Sequence, residues 1–164
     1  MAYSLRLESL RDLIGLYGRE VAILDRRIQM ALRDHTGYWT IQAISGVGPV
    51  LAAVFVAEIG DVGRFPSPDR LSSWAGLTPR HRESDTKVRR GSITKQGSKL
   101  VRWAAVEAVS HNHSGGEIRT EYHRIAERRG RNIGRVAAAR KVLSLVYFRL
   151  PDGEIRCLTP VEAG

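Results

Sequence analysis

At 164 residues, 43% of them hydrophobic, the chain has room for one ordinary domain with a buried core and an appended element, which excludes wholesale disorder. Its single cysteine rules out an internal disulfide, no apolar run approaches the roughly 18 residues of a membrane span, and Met1 to Arg6 lacks the apolar core of a signal peptide. A net charge of +9 then points to a soluble, cytoplasmic, nucleoid-associated protein whose natural partner is a polyanion such as DNA or RNA.

The first 34 residues contain no proline. Tyr3, Leu7, Leu10, Ile14, Tyr17, Val21, Leu24, Ile28 and Ala31 recur at alternating spacings of four and three, a heptad seam. This predicts a coiled-coil or linker helix over 1–35, roughly 45 Å long, pairing with a second copy of the chain as a homo-oligomer. A single amphipathic helix lying along its own domain is the alternative reading of the same seam.

Tyr38 to Ile44 reads as a short helix ended by Ser45-Gly46, and Val50 to Ile59 as an apolar helix stopped by Gly60. Between them, Gly46-Val47-Gly48-Pro49 gives 41–59 the pattern of a helix-hairpin-helix. In such a motif Gly46 and Gly48 free backbone N–H groups, and the second helix offers its positive end, so that one phosphate is held without its base being read. An ordinary tight turn between two helices uses the same glycines.

Ser67-Pro68-Asp69 is a helix start, with Ser as N-cap and Pro at the first helical position. That helix runs to about Ala75. Leu77 to Ser98 is polar, basic and glycine-containing, and reads as a loop with a short strand pair near Val88 and Ile93. Helices resume over Ser98–Asn112, Glu117–Arg129 and Asn132–Leu150, and 151–164 is a peripheral tail. The fold class is mainly all-α: a long N-terminal helix, then a compact helical domain over 36–150 containing the helix-hairpin-helix and a basic loop.

The positive charge is concentrated in two stretches. Arg80, Arg82, Lys87, Arg89, Arg90, Lys95, Lys99 and Arg102 face only Glu83 and Asp85 in 80–102. The stretch 119–141 holds another eight basic residues, Arg128 and Arg131 among them, against Glu121 and Glu127. Clustered arginines of this kind suit phosphate contact better than a merely solvated surface.

One constellation is more specific. Gly60-Asp61-Val62-Gly63-Arg64-Phe65, Leu71-Ser72-Ser73-Trp74-Ala75-Gly76-Leu77-Thr78-Pro79-Arg80, Glu83-Ser84 and Arg90-Gly91-Ser92-Ile93-Thr94-Lys95-Gln96-Gly97 follow the Gly-Val-Gly-Pro turn in order. Val136 to Leu143 completes the series. From Ile41 to Leu150 the chain resembles the C-terminal domain of the transposases of insertion-sequence family one hundred and ten, with relatives one hundred and sixteen and nine hundred and two.

The resemblance implies an RNA-guided DNA recombinase. A separate RNase-H-like domain, absent from this chain, holds Mg2+ through four acidic residues. A coiled-coil linker follows, and a C-terminal serine attacks the DNA backbone while a structured guide RNA selects the sites. The matching serine is Ser84. On this reading the chain alone binds no metal or other cofactor, and its activity needs the acidic domain.

Chemistry supports the choice of a serine among cations. A serine hydroxyl attacks only when a base, a metal or nearby positive charge favours its alkoxide, and guanidinium groups stabilise the charge that builds on the phosphate oxygens. Ser92 and Ser98 are rivals in the same stretch, and neither His81 nor Asp85 is established as a base. Glu58 and Asp61 read as helix-end residues, and His111, His113 and His123 as a solvated helix terminus. A non-catalytic helix-hairpin-helix DNA-binding module is the alternative to the enzyme, and a structural oligomeriser is a third reading.

Overall fold

The proline-free heptad seam at the N-terminus becomes α1, a single 30-residue helix over Ala2–Ala31 that runs through Gly15 and Gly18. The computed structural model describes residues 2–84, 87–112 and 116–150; the side chains of residue 2 and of 81–90 lie outside that description, as does the expected tail at 151–164. Residues 1–34 form one compact unit and 35–164 another. The seam along α1 is exposed: Tyr3 is 82% accessible, Ile14 72% and Tyr17 66%. Among the described residues no helix is long and apolar enough to cross a membrane.

In the second unit α2 covers Thr36–Ile41. It begins two residues earlier than the sequence suggests, because the His35 ring nitrogen accepts the Tyr38 N–H at 3.1 Å and caps the helix. It also ends earlier. Residues 42–46 leave the helix through a series of turns before α3 begins at Pro49 and runs to Ile59.

Asp61 accepts the Gly63 N–H at 2.8 Å and opens a short 3-10 turn over Val62–Arg64, while the Glu58 carboxylate accepts the Ser98 hydroxyl at 2.7 Å. Helix α4, Pro68–Trp74, starts as expected, with the Ser67 hydroxyl accepting the Arg70 N–H. Helix α5 spans Lys99–Ser110, α6 Glu117–Arg129 and α7 Arg131–Arg149.

The core lies where α7 packs on α2, α4, α5 and α6, and α3 on α2 and α5. Helix α5 turns Ala104, Ala105 and Ala108 inward, and α7 turns Ala138 and Ala139 inward, all fully buried. Small side chains on both surfaces bring helix axes close together. Tyr38, Ile41, Phe55, Ile59, Leu71 and Leu143 fill the remaining space. Truncating one of the larger aliphatic or aromatic groups typically costs about 2–5 kcal/mol.

The expected basic loop is instead mostly a β-hairpin. Strand β1, Pro79–Ser84, runs antiparallel to β2, Lys87–Ile93, in a two-stranded sheet. The pairs His81–Arg90, Arg82–Arg89, Glu83–Val88 and Ser84–Lys87 set the register, with an irregularity between Pro79 and His81. The sequence conceals it because these strands lack the apolar–polar alternation by which a half-buried strand is recognised. The architecture remains mainly all-α.

Candidate nucleic-acid interface

The hairpin is held at its base. Trp74-Ala75-Gly76 closes α4, and Lys95-Gln96-Gly97 crosses over that helix end. Gly76 has φ +73° and a Cβ there would strike the Gln96 carbonyl oxygen; Gly97 has φ +78° and a Cβ would strike the Trp74 carbonyl oxygen. Only glycine fits both the backbone conformation and the contact.

Backbone bonds complete the clamp, from Thr94 N–H to the Thr78 carbonyl at 3.0 Å and from Lys95 N–H to the Gly76 carbonyl at 3.1 Å. The Arg102 Nη1 donates to the Ala75 carbonyl at 2.8 Å and to the Gln96 carbonyl at 3.4 Å. On the other side of Trp74, the Arg64 guanidinium lies 4.6 Å from the Phe65 ring centre and 4.8 Å from that of Trp74.

Beside this clamp a groove of about 530 Å³ separates the hairpin from the α6–α7 turn. Leu77, Pro79 and Ile93 line one side, Ile133, Val136 and Ala137 the other, and Arg128, Arg129 and Arg140 complete the lining. Among the described residues no carboxylate lines it. Arg140 is paired with Asp69 at 2.9 Å, whereas Arg128 and Arg129 are exposed. The groove therefore joins the two basic stretches, which lie far apart in sequence, and combines an apolar floor with cations. Such a surface offers apolar contact to a nucleotide and cations to its phosphate.

The other expected contact residues are distributed unevenly. Arg80 is exposed at the foot of β1 and its Nη2 reaches the Thr94 carbonyl at 3.4 Å. Lys95 and Lys99 are exposed, as is Arg131 at the start of α7. Arg102 is half-buried, and its Nη1 ties the two sides of the clamp together. The side chains of Arg82, Lys87, Arg89, Arg90 and Ser84 lie outside the described residues. Their backbone positions are clear, with Arg82 opposite Arg89 and Ser84 opposite Lys87 at the end of β1. Strand alternation and cross-strand pairing put those four positions on one face of the ribbon. Ser84 stands five residues beyond Pro79, roughly 17 Å along the strand.

Of the rival serines, Ser98 is spent on structure: it caps α5 by accepting the Val101 N–H at 3.2 Å and donates to Glu58. Ser92 is exposed at the groove. Sequence reasoning missed Arg129, Arg140 and Ile133 as parts of one surface. Ile133, an isoleucine in a basic segment, is 51% exposed.

The α2–α3 turn has a different environment. Gly46, at φ +88°, packs where a Cβ would strike the Ala108 carbonyl oxygen, whereas Gly48 is exposed with no atom near its missing Cβ. Pro49 removes one N–H from the start of α3. The adjoining groove, about 610 Å³, is lined by Trp103, Glu107 and His111 and by neither lysine nor arginine.

On α6, Glu121 accepts from Arg124 at 2.8 and 3.0 Å. That hydrogen bond holds its carboxyl below the usual range. Partial burial opposes the effect, and the charges of Arg124, Lys141 and Arg128 reinforce it. Among the described residues no three His, Cys, Asp or Glu side chains gather as metal ligands, so these residues do not fit the magnesium site that the resemblance implies.

Comparison with known proteins bears on the family. The chain is 30% identical over 96 residues to a "Probable family 20 transposase" of Pseudomonas aeruginosa, covering 58% of this chain and 28% of that protein. It is 29% identical over 150 residues to the transposase for insertion sequence element IS1111A of Coxiella burnetii, covering 87% and 41%. To an uncharacterized 43.6 kDa protein of insertion element IS110 from Streptomyces coelicolor it is 27% identical over 132 residues, covering 79% and 33%. It thus spans well under half the length of these relatives. The model of the transposase IS116/IS110/IS902 family matches residues 39–124, a stretch that contains α3, the clamp and the whole hairpin, and the chain belongs to that family.

Proposed function

We propose that this chain is the serine-bearing part of a DNA transposase, with Ser84 attacking a DNA phosphodiester. The observation that carries the reading is the hairpin, which lies within the stretch that matches the family and is clamped beside a groove whose arginines come from 128–140. DNA bound with its phosphates at the groove arginines and its backbone along the ribbon would run toward Ser84, roughly 17 Å along the strand from Pro79.

In the reaction the Ser84 oxygen forms a bond to phosphorus as its proton leaves. The bridging oxygen of the broken strand departs with the electron pair and takes up a proton. The phosphoserine ester conserves the bond, and the reverse attack by a strand hydroxyl rejoins DNA and frees the serine. Arginines stabilise the charge on the non-bridging oxygens.

The acidic domain and its magnesium, a structured guide RNA, and a homo-oligomer formed through the exposed seam of α1 complete the proposal. A second reading, a non-catalytic grip by the helix-hairpin-helix at 41–59, draws on the exposed Gly48 at the start of α3.

The deciding experiment supplies the acidic domain in trans with magnesium, element-end DNA and its RNA, and looks for a denaturation-resistant protein–DNA adduct. Ser84→Ala is expected to abolish the adduct while leaving DNA binding intact, and Ser92→Ala to retain it. An adduct that survives Ser84→Ala overturns the nucleophile. DNA binding that depends on Gly48, without any adduct, favours the second reading.

A further inference from the structure

On the far side of α7 from the arginine groove lies a separate pocket of about 280 Å³. It is bounded by the α2–α3 turn, the end of α5, the start of α6 and the last turns of α7. Arg149 lines it while only 6% exposed, and among the described residues its Nε and Nη1 have no hydrogen-bond partner. A guanidinium removed from water with its N–H groups unspent is costly unless an anion completes it.

The neighbouring groups are also donors. Asn112 is 5% exposed and its Nδ2 has no partner among the described residues. Its Oδ1 is occupied by the Ser45 hydroxyl at 2.9 Å, which fixes the amide plane. Helix α6 begins at the same pocket with Gly116 as N-cap and no side-chain cap, leaving first-turn amides and the positive end of the helix dipole uncapped by a side chain. Among the described residues the one carboxylate in the lining, Glu117, is bound to Lys141 at 2.9 Å, so that pair is neutral and no described carboxylate in the lining is left for Arg149.

We infer that this pocket is an oxyanion site holding one phosphate group, with Arg149, Asn112 and the start of α6 as its donors. Donors arriving from three helices suit a tetrahedral anion, whose oxygens point in separate directions; a planar carboxylate is satisfied by the guanidinium fork alone. The site goes beyond the function proposed above, since neither Ser84 nor the hairpin takes part. That reading bears only on the source of the phosphate, which is either a nucleic-acid backbone or free inorganic phosphate.

The test measures thermal unfolding of the chain in inorganic phosphate, in acetate and in chloride at matched ionic strength. Phosphate at ten times its dissociation constant is expected to raise the Tm by about 4 °C over chloride, with acetate having no such effect. Arg149→Met keeps the bulk, loses the shift, and melts no lower than wild type in chloride because an unpaired charge has been removed. Should that variant fail to fold, Asn112→Ala must diminish the shift.

An oligonucleotide without terminal phosphates separates the sources. If the backbone supplies the phosphate, Arg149→Met lowers the salt slope of binding by about 0.9; if free phosphate is the ligand, the slope is unchanged and the Tm shift remains. Ser84→Ala must leave every phosphate measurement untouched, so this site and the nucleophile stand or fall separately. The inference is overturned by a folded wild type that phosphate does not stabilise, by an equal shift in Arg149→Met, or by acetate matching phosphate.

Discussion

The α2–α3 turn and the hairpin base look alike as sequence, each a pair of glycines beside the start or end of a helix. Their surroundings differ. Gly76 and Gly97 sit in a clamp whose outer side opens on Arg128 and Arg129, while Gly46 is pressed against α5 and the groove beside Gly48 carries Glu107 and His111 and, among the described residues, neither lysine nor arginine. A glycine near a helix end is as readily a packing device as a phosphate cradle, and the charge of its neighbours tells which.

The strongest way to break this contrast is to give the glycines a side chain. Gly97→Ala forces a Cβ into the Trp74 carbonyl oxygen at a positive φ, and a loss of about 3 kcal/mol or more is expected in urea denaturation. Gly46→Ala meets the Ala108 carbonyl oxygen in the same way and belongs in the same range. Gly48→Ala, with open space and an extended backbone, should cost less than about 1 kcal/mol. If Gly48→Ala nevertheless weakens DNA binding more than any arginine substitution, the turn and not the groove is the main contact.

Arginines of the two kinds sharpen the contrast at an intermediate scale. Arg102→Ala removes charged hydrogen bonds to the Ala75 and Gln96 carbonyls, with an expected loss of about 2 kcal/mol. Arg128→Ala should leave stability within about 0.5 kcal/mol of wild type while lowering the slope of log binding constant against log salt by about 0.9. Parallel urea and salt-titration series read both. A salt slope that falls in Arg102→Ala but not in Arg128→Ala would reverse the assignment.

Much of the helical frame is legible because its ends are local chemistry. Ser67-Pro68 and Ser98 announce α4 and α5, and Gly130 separates α6 from α7. The hairpin was read only near Val88 and Ile93, since Arg, Lys, Glu and Ser carry no apolar alternation to mark the rest. The groove was not legible at all: Ile93 and Ile133, forty residues apart in sequence, line the same groove, and only packing of α7 against the body sets which arginines border it. Arg102 shows the converse, a basic residue in a basic stretch whose partners are carbonyls brought over by the clamp. Arg149 reads as an ordinary helix-end arginine until its burial is seen.

The smallest expected effect concerns the acid inside the second basic stretch. Arg124 holds the Glu121 carboxyl below its unfolded value by a direct hydrogen bond, with help from Lys141 and Arg128. A group depressed in the folded state contributes stability above its unfolded pKa, near 4.5, and loses it as pH falls through the lower folded value. Glu121→Gln should therefore lower the Tm slightly at pH 7 and flatten its decline below about pH 5, a change smaller than any above because the pair is solvent-screened. The same substitution removes one negative charge from α6 without touching the α2–α3 turn. Stronger DNA binding at low salt, fading as salt rises, would place the nucleic acid on the arginine side; unchanged binding at every salt concentration would argue that α6 faces elsewhere.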